Sequence, residues 1–277
     1  MNISREIFPT DGSNSSSYLF NIGTDIEINL LYFLSVVLGL PTNSYVIWLI
    51  VSGKRNELAA KFFSLNLAVC EILLCVEIVL IFLSYEFEFL WTAVSAFDGL
   101  AFIGHPQFLC LICFERYLAV VHPVTFLKFK PLRYRVICSV IVWVASFGFG
   151  GIFIFFTMFQ PMFYLVFLFT QFFFFLCIQL FCLVAVLRAL KQSGPGERGR
   201  EEENHMKSRA FYLILITTVT MLIAYAPYLI LLALFMTTGS TDTLLSIISC
   251  LCFSLAGFVQ PLLFLYRMRK LPFIKYQ

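Results

Sequence analysis

The chain has 277 residues, 60% of them hydrophobic and only 13% charged, with 34 phenylalanines and a net charge of +3. Soluble domains carry about 25% charged residues, so this composition excludes an ordinary soluble domain and points to a polytopic membrane protein. The small net charge excludes nothing until it is distributed along the chain.

Residues 1–28 form a Ser/Asn-rich tail without periodicity, expected to be flexible. It carries the sequons Asn2-Ile3-Ser4 and Asn14-Ser15-Ser16, which make Asn2 and Asn14 candidate glycosylation sites if this end is extracellular. Met1 to Asp25 is polar and offers no cleavable signal, so the first span is expected to act as its own targeting signal. The spanning domain occupies 29–266, and 267–277 form a short tail. The first span runs over about Asn29–Ser52, the second over Phe62–Ser84 and the third over Leu90–Val121. Residues 136–187 contain no Lys, Arg, Asp or Glu, which is room for two spans, and Gln160-Pro161 is the expected break between them. The sixth span covers Ala210–Met236 and the seventh Thr243–Tyr266. Lys191–Lys207, with Gly-Pro-Gly and Glu201-Glu202-Glu203, is expected to be a mobile loop.

Seven spans put the termini on opposite sides. The connectors 53–61, 116–135, 188–209 and 267–275 hold 18 of the 19 Lys and Arg residues. The positive-inside rule therefore places the amino terminus outside and the carboxyl terminus in the cytoplasm. No internal repeat is evident, which weighs against inverted-repeat transporters. All nine cysteines fall in apolar runs, so no disulfide framework is visible. Cys110 and Cys113 share a helix face, yet without a neighbouring His or acid they fit small buried hydrophobes better than metal ligands.

The third span ends in Glu115-Arg116-Tyr117, and Pro123 breaks the helix soon afterwards. With Ala119 to Val124, this stretch resembles the Asp-Arg-Tyr segment and second cytoplasmic loop of rhodopsin-like G-protein-coupled receptors. Further positions carry the likeness in the right order. Gly39-Leu40-Pro41-Thr42-Asn43 resembles the first-span pattern of the purinoceptor and protease-activated branch. Asn66 to Glu71 resembles Asn-Leu-Ala-x-x-Asp with Glu for Asp, and Trp143 matches the fourth-span tryptophan. Tyr225-Ala226-Pro227-Tyr228 stands where Trp-x-Pro-Tyr is usual, and Gln260-Pro261-Leu262-Leu263-Phe264 where Asn-Pro-x-x-Tyr is usual.

The resemblance implies an all-α seven-helix bundle in the plasma membrane that turns an extracellular ligand into heterotrimeric G-protein activation, without enzymatic activity, cofactor, metal or nucleic-acid partner. It assigns Arg116 and Val124 to the G-protein contact, with Glu115 and Tyr117 beside them. Pro227 becomes the bend of the sixth span, and Tyr225, Gln260, Pro261 and Phe264 the switch positions. The departures from the family pattern are equally specific. Trp91 replaces the third-span cysteine, and the short turn near Gln160 offers it no partner, so the outer disulfide is expected to be missing. Lys207 stands where many members place an acid, so Arg116 is expected to keep only Glu115 as a lock. These departures keep two rival classes in view: a seven-helix chaperone or dimer partner that no longer signals, and a proton or cation pathway.

Ionisable groups at mid-membrane cost about 2.5–3.5 kcal/mol on insertion scales, so each asks for a partner. Glu71, His105 and Gln260 fall at mid-depth, and with Asn43 they form the expected polar cluster. The resemblance places a sodium site there, but an imidazole suits a carboxylate better than it suits Na⁺. His105 either pairs with Glu71 or bonds the Phe102 carbonyl, which Pro106 leaves without its helical donor. Asp98, about 10.5 Å above His105 on the same face, and Glu77 and Tyr228 are candidate ligand contacts. No Lys or Arg lies in the outer half of a span, so a cationic or neutral ligand is favoured over an anionic one. Asp98 either meets a protonated amine or is neutralised within the bundle, with a neutral lipid as ligand.

Overall fold

The computed structural model describes residues 26–53, 61–84, 86–90, 93–94, 97, 100–129, 131–159, 161–191, 198–238 and 243–267. Its long elements are all helical: α1 (Ile26–Val51), α2 (Phe62–Ser84), α3 (His105–Val121), α4 (Pro123–Phe129), α5 (Leu132–Phe159), α6 (Pro161–Lys191), α7 (Arg198–Thr238) and α8 (Thr243–Arg267). Among the described residues, six of them (α1, α2 and α5 to α8) are long and apolar enough to cross a membrane. The seventh, α3, is continuous with a π-helical turn, Leu100–Gly104, and so runs from Leu100 to Val121.

Large apolar side chains line the outside as well as the inside. Ile141, Val144, Phe163 and Trp48 are all at least 60% exposed, as expected of helices whose outer face meets lipid. The inner seam is organised around α3. Phe108 and Leu109 are wholly buried and pack with Phe63, Leu67 and Cys70 of α2, Val142 of α5 and partly buried Phe253 of α8. At the far flank, Val46, Leu49 and Ile50 of α1 close on Ala68 and Leu265. The Trp143 indole donates to Asn66 Oδ1 at 2.8 Å, pinning α5 to α2.

Proline sets most of the breaks. Helix α5 ends at Phe159 and α6 begins at Pro161, where the missing N–H costs a helix nothing. The α3 helix stops at His122, whose φ of −131° leaves the helical region, and Pro123 opens α4. Two expectations need correction. The third span is not a uniform α-helix from Leu90, because the π-turn interrupts it ahead of Pro106. Nor is 191–207 a loop throughout, since α7 begins at Arg198. Glu201-Glu202-Glu203 are good helix formers, and acids in the first turns of a helix meet the positive end of its dipole.

Candidate functional site

A chain of three buried side chains crosses the middle of the bundle. His105, first residue of α3 after the π-turn, points Nε2 at Glu71 Oε1 of α2 at 2.8 Å. The contact is an ion-pair approach that falls short of an aligned hydrogen bond. On the other side of the ring, Nδ1 lies 2.9 Å from the Tyr225 hydroxyl of α7. Relative exposures are 8%, 3% and 5% for Glu71, His105 and Tyr225.

The chemistry closes in either protonation state of the imidazole. A neutral ring presents Nε2–H to the carboxylate and accepts the tyrosine proton at Nδ1; a charged ring donates from both nitrogens. In both cases the buried carboxylate faces an N–H, which its desolvation requires. The second carboxylate oxygen faces α8 at Gly257, where a Cβ would come within 3.0 Å of Glu71 Oε2. Glycine thus lets α8 sit against the charge.

Of the two partners open to His105, the structure shows Glu71. The Phe102 carbonyl is taken instead by the Gln171 side-chain amide of α6. The other members of the expected cluster stand apart from this chain. Asn43 Nδ2 donates within α1 to the Gly39 carbonyl at 3.1 Å, and Gln260 Nε2 is buried without a hydrogen-bond partner among the described residues. Tyr225 joins the cluster unannounced. Its signal was a hydroxyl inside an apolar run, since a buried tyrosine O–H nearly always finds a partner.

Tyr225 also lines a narrow, partly open cleft between α3, α6 and α7. Phe102, Phe172, Phe175, Tyr228 and Leu229 form most of its wall, and Gln171 adds an amide. Phe102 lies 4.8 Å from Tyr228, centroid to centroid, while Tyr225 meets Phe253 edge-on at 5.9 Å. Among the described residues, no basic side chain lines the cleft. Glu77 is buried in α2. Asp98, Asn2 and Asn14 lie outside the described residues.

At the Arg116 end, the expected Glu115–Arg116 lock gives way to a different pair. Glu115 Oε1 meets Arg135 Nη2 of α5 at 2.7 Å, with both residues buried. Neighbouring residues on a helix do not face each other, so Glu115 is free to reach across to α5. Arg116 keeps its Nε buried without a hydrogen-bond partner among the described residues. The Tyr117 hydroxyl lies 3.0 Å from His122 Nε2, and its ring leans on Phe181. Beyond them α4 presents Val124 and Leu127, 71% and 61% exposed. Pro227 and Pro261 lie inside α7 and α8, and Phe264 packs with the α1 cluster under the Lys61 ammonium, 5.9 Å from its ring centroid.

A seven-helix bundle with a Glu-Arg-Tyr foot and helix-interior prolines in α7 and α8 is the architecture of membrane receptors. The family of 7 transmembrane receptors (rhodopsin family) matches residues 42–264, and the chain belongs to it. Among curated relatives, the mouse (Mus musculus) chemokine XC receptor 1 is 29% identical over 236 residues, covering 77% of this chain and 68% of that protein.

Proposed function

We propose that this chain is a plasma-membrane G-protein-coupled receptor, with its amino terminus extracellular and its carboxyl terminus cytoplasmic. The concentration of 18 of 19 basic residues in alternate connectors supports that orientation. The observation that carries the coupling reading is at the cytoplasmic end. Arg116 is held by neither Glu115 nor any other ion pair among the described residues, while α4 offers Val124 and Leu127 to a partner. A guanidinium with an unmet buried N–H beside exposed apolar side chains is the composition of a protein-binding hot spot. Nucleotide exchange on co-expressed heterotrimeric G proteins tests it. Arg116→Ala should cut the receptor-dependent rate about thirtyfold or more, the effect of losing a hot-spot arginine. An unchanged rate at equal surface expression would sink the coupling reading.

The ligand is proposed to be cationic or neutral. Among the described residues the cleft wall is aromatic and without basic side chains, so an anion there would be desolvated with no countercharge. Asp98, eighteen residues before Arg116, is the proposed carboxylate for a cation, with the Tyr228 ring available for cation–π contact. That cation can belong to a free amine or to a basic segment of a protein; the mouse relative is named for a chemokine. On any cationic agonist found by screening at neutral pH, Asp98→Asn should cost about 2–5 kcal/mol of potency. An anionic agonist, or one indifferent to Asp98→Asn, would end this assignment.

A further inference from the structure

The likeness to rhodopsin-like receptors places a sodium ion beside the mid-membrane carboxylate of α2, which is Glu71 here. A small hard cation takes oxygen ligands, so its fit depends on the oxygens that surround this carboxylate. The two oxygens of Glu71 meet different neighbours. Oε2 faces α8 at Gly257, a residue without a side chain to offer an ion. Oε1 faces His105 Nε2 at 2.8 Å, with the histidine only 3% exposed. Two lone pairs do not approach so closely, so a proton lies between these atoms. Whichever of the two carries it, the nitrogen has no lone pair free for a metal.

Backbone oxygens of the π-turn ahead of His105 are already engaged. The Leu100 carbonyl receives the Cys70 thiol at 3.7 Å, and the Phe102 carbonyl receives the Gln171 amide. Gln260 buries its Nε2, a donor that a cation cannot use. An ion approaching Oε1 would have to push the imidazole away, and the Tyr225 hydroxyl braces that ring on its far side at 2.9 Å. These residues do not fit a sodium ion. We propose that His105 stands in its place, as a built-in partner for Glu71 that makes the resting bundle insensitive to sodium. A buried carboxylate needs a compensating group at all times. Here that group is part of the chain, so removing sodium from the medium takes nothing from it.

The test is thermal unfolding of the purified full-length protein, with sodium chloride exchanged for N-methylglucamine chloride at equal ionic strength. The parent should melt at the same temperature in both salts. His105→Ser puts a small oxygen donor where the imidazole was and leaves Glu71 without its partner. It should melt several degrees below the parent without sodium and recover several degrees when sodium is added. Glu71→Gln combined with His105→Ser removes the charge and should abolish that recovery. If His105→Ser does not fold, His105→Asn, which also carries an oxygen, takes its place. A parent protein that sodium stabilises, through a response that Glu71→Gln abolishes, overturns the proposal. So does a His105→Ser protein as indifferent to sodium as the parent, since something other than His105 would then exclude the ion. A recovery that persists in the double variant overturns it as well, because the ion would be binding elsewhere. Unfolding is read without ligand or G protein, so none of these outcomes depends on the coupling reading.

Discussion

Arg135→Met should destabilise the protein by about 3–5 kcal/mol, the cost of leaving a buried ion without its partner. Glu115 and Arg135 are 8% and 4% exposed, and their 2.7 Å contact joins α3 to α5 just inside the basic end of the bundle. Methionine fills much of the arginine stem's volume, so little of the loss should come from packing. What remains is a carboxylate that must be desolvated alone or take up a proton. The double variant Glu115→Gln with Arg135→Met removes that charge and should recover most of the loss. Reversible unfolding of the purified protein in mixed micelles measures both. A single variant within about 1 kcal/mol of the parent would show that water reaches Glu115 and that the pair behaves as a surface bridge.

Gly104→Ala should cost about 1–3 kcal/mol by overpacking, and Ser146→Ala should give most of it back. Gly104 closes the π-turn and lies against Ser146 of α5. A Cβ there would lie 2.9 Å from Ser146 Oγ and 3.6 Å from Cys70 Sγ. The serine hydroxyl cannot easily step aside, because it donates to the Val142 carbonyl at 2.8 Å in a fully buried position. Deleting that oxygen leaves Ser146 Cβ at 3.5 Å, an ordinary contact. The same unfolding measurement reads the pair, and a Gly104→Ala protein as stable as its parent would mean that α3 and α5 part freely at this level.

Much of the architecture was legible because lipid imposes a composition on whole spans. Charge-free 136–187 could only be two spans, and Pro161 was the residue least able to sit inside one. Glu71 and His105 announced themselves, since each is a polar group that hydrocarbon will not take alone. The partners were harder to see. Arg135 lies twenty residues from Glu115 in a connector full of basic residues, and nothing local distinguishes it from its neighbours. Tyr225 was assigned a switch role from its place in a motif, which says nothing about where its hydroxyl goes. The start of α7 was hidden because Glu201-Glu202-Glu203 breaks no helix in water while satisfying every compositional sign of a loop.

The bond between the Gln171 amide and the Phe102 carbonyl bears on how the chain is assembled during synthesis. Pro106 deprives that carbonyl of its usual donor, and the replacement comes from a span made later. Until α6 has entered the bilayer the carbonyl lacks this partner, and an unmet backbone group in hydrocarbon costs several kcal/mol. The third span thus gains this hydrogen bond only once the fifth has been made.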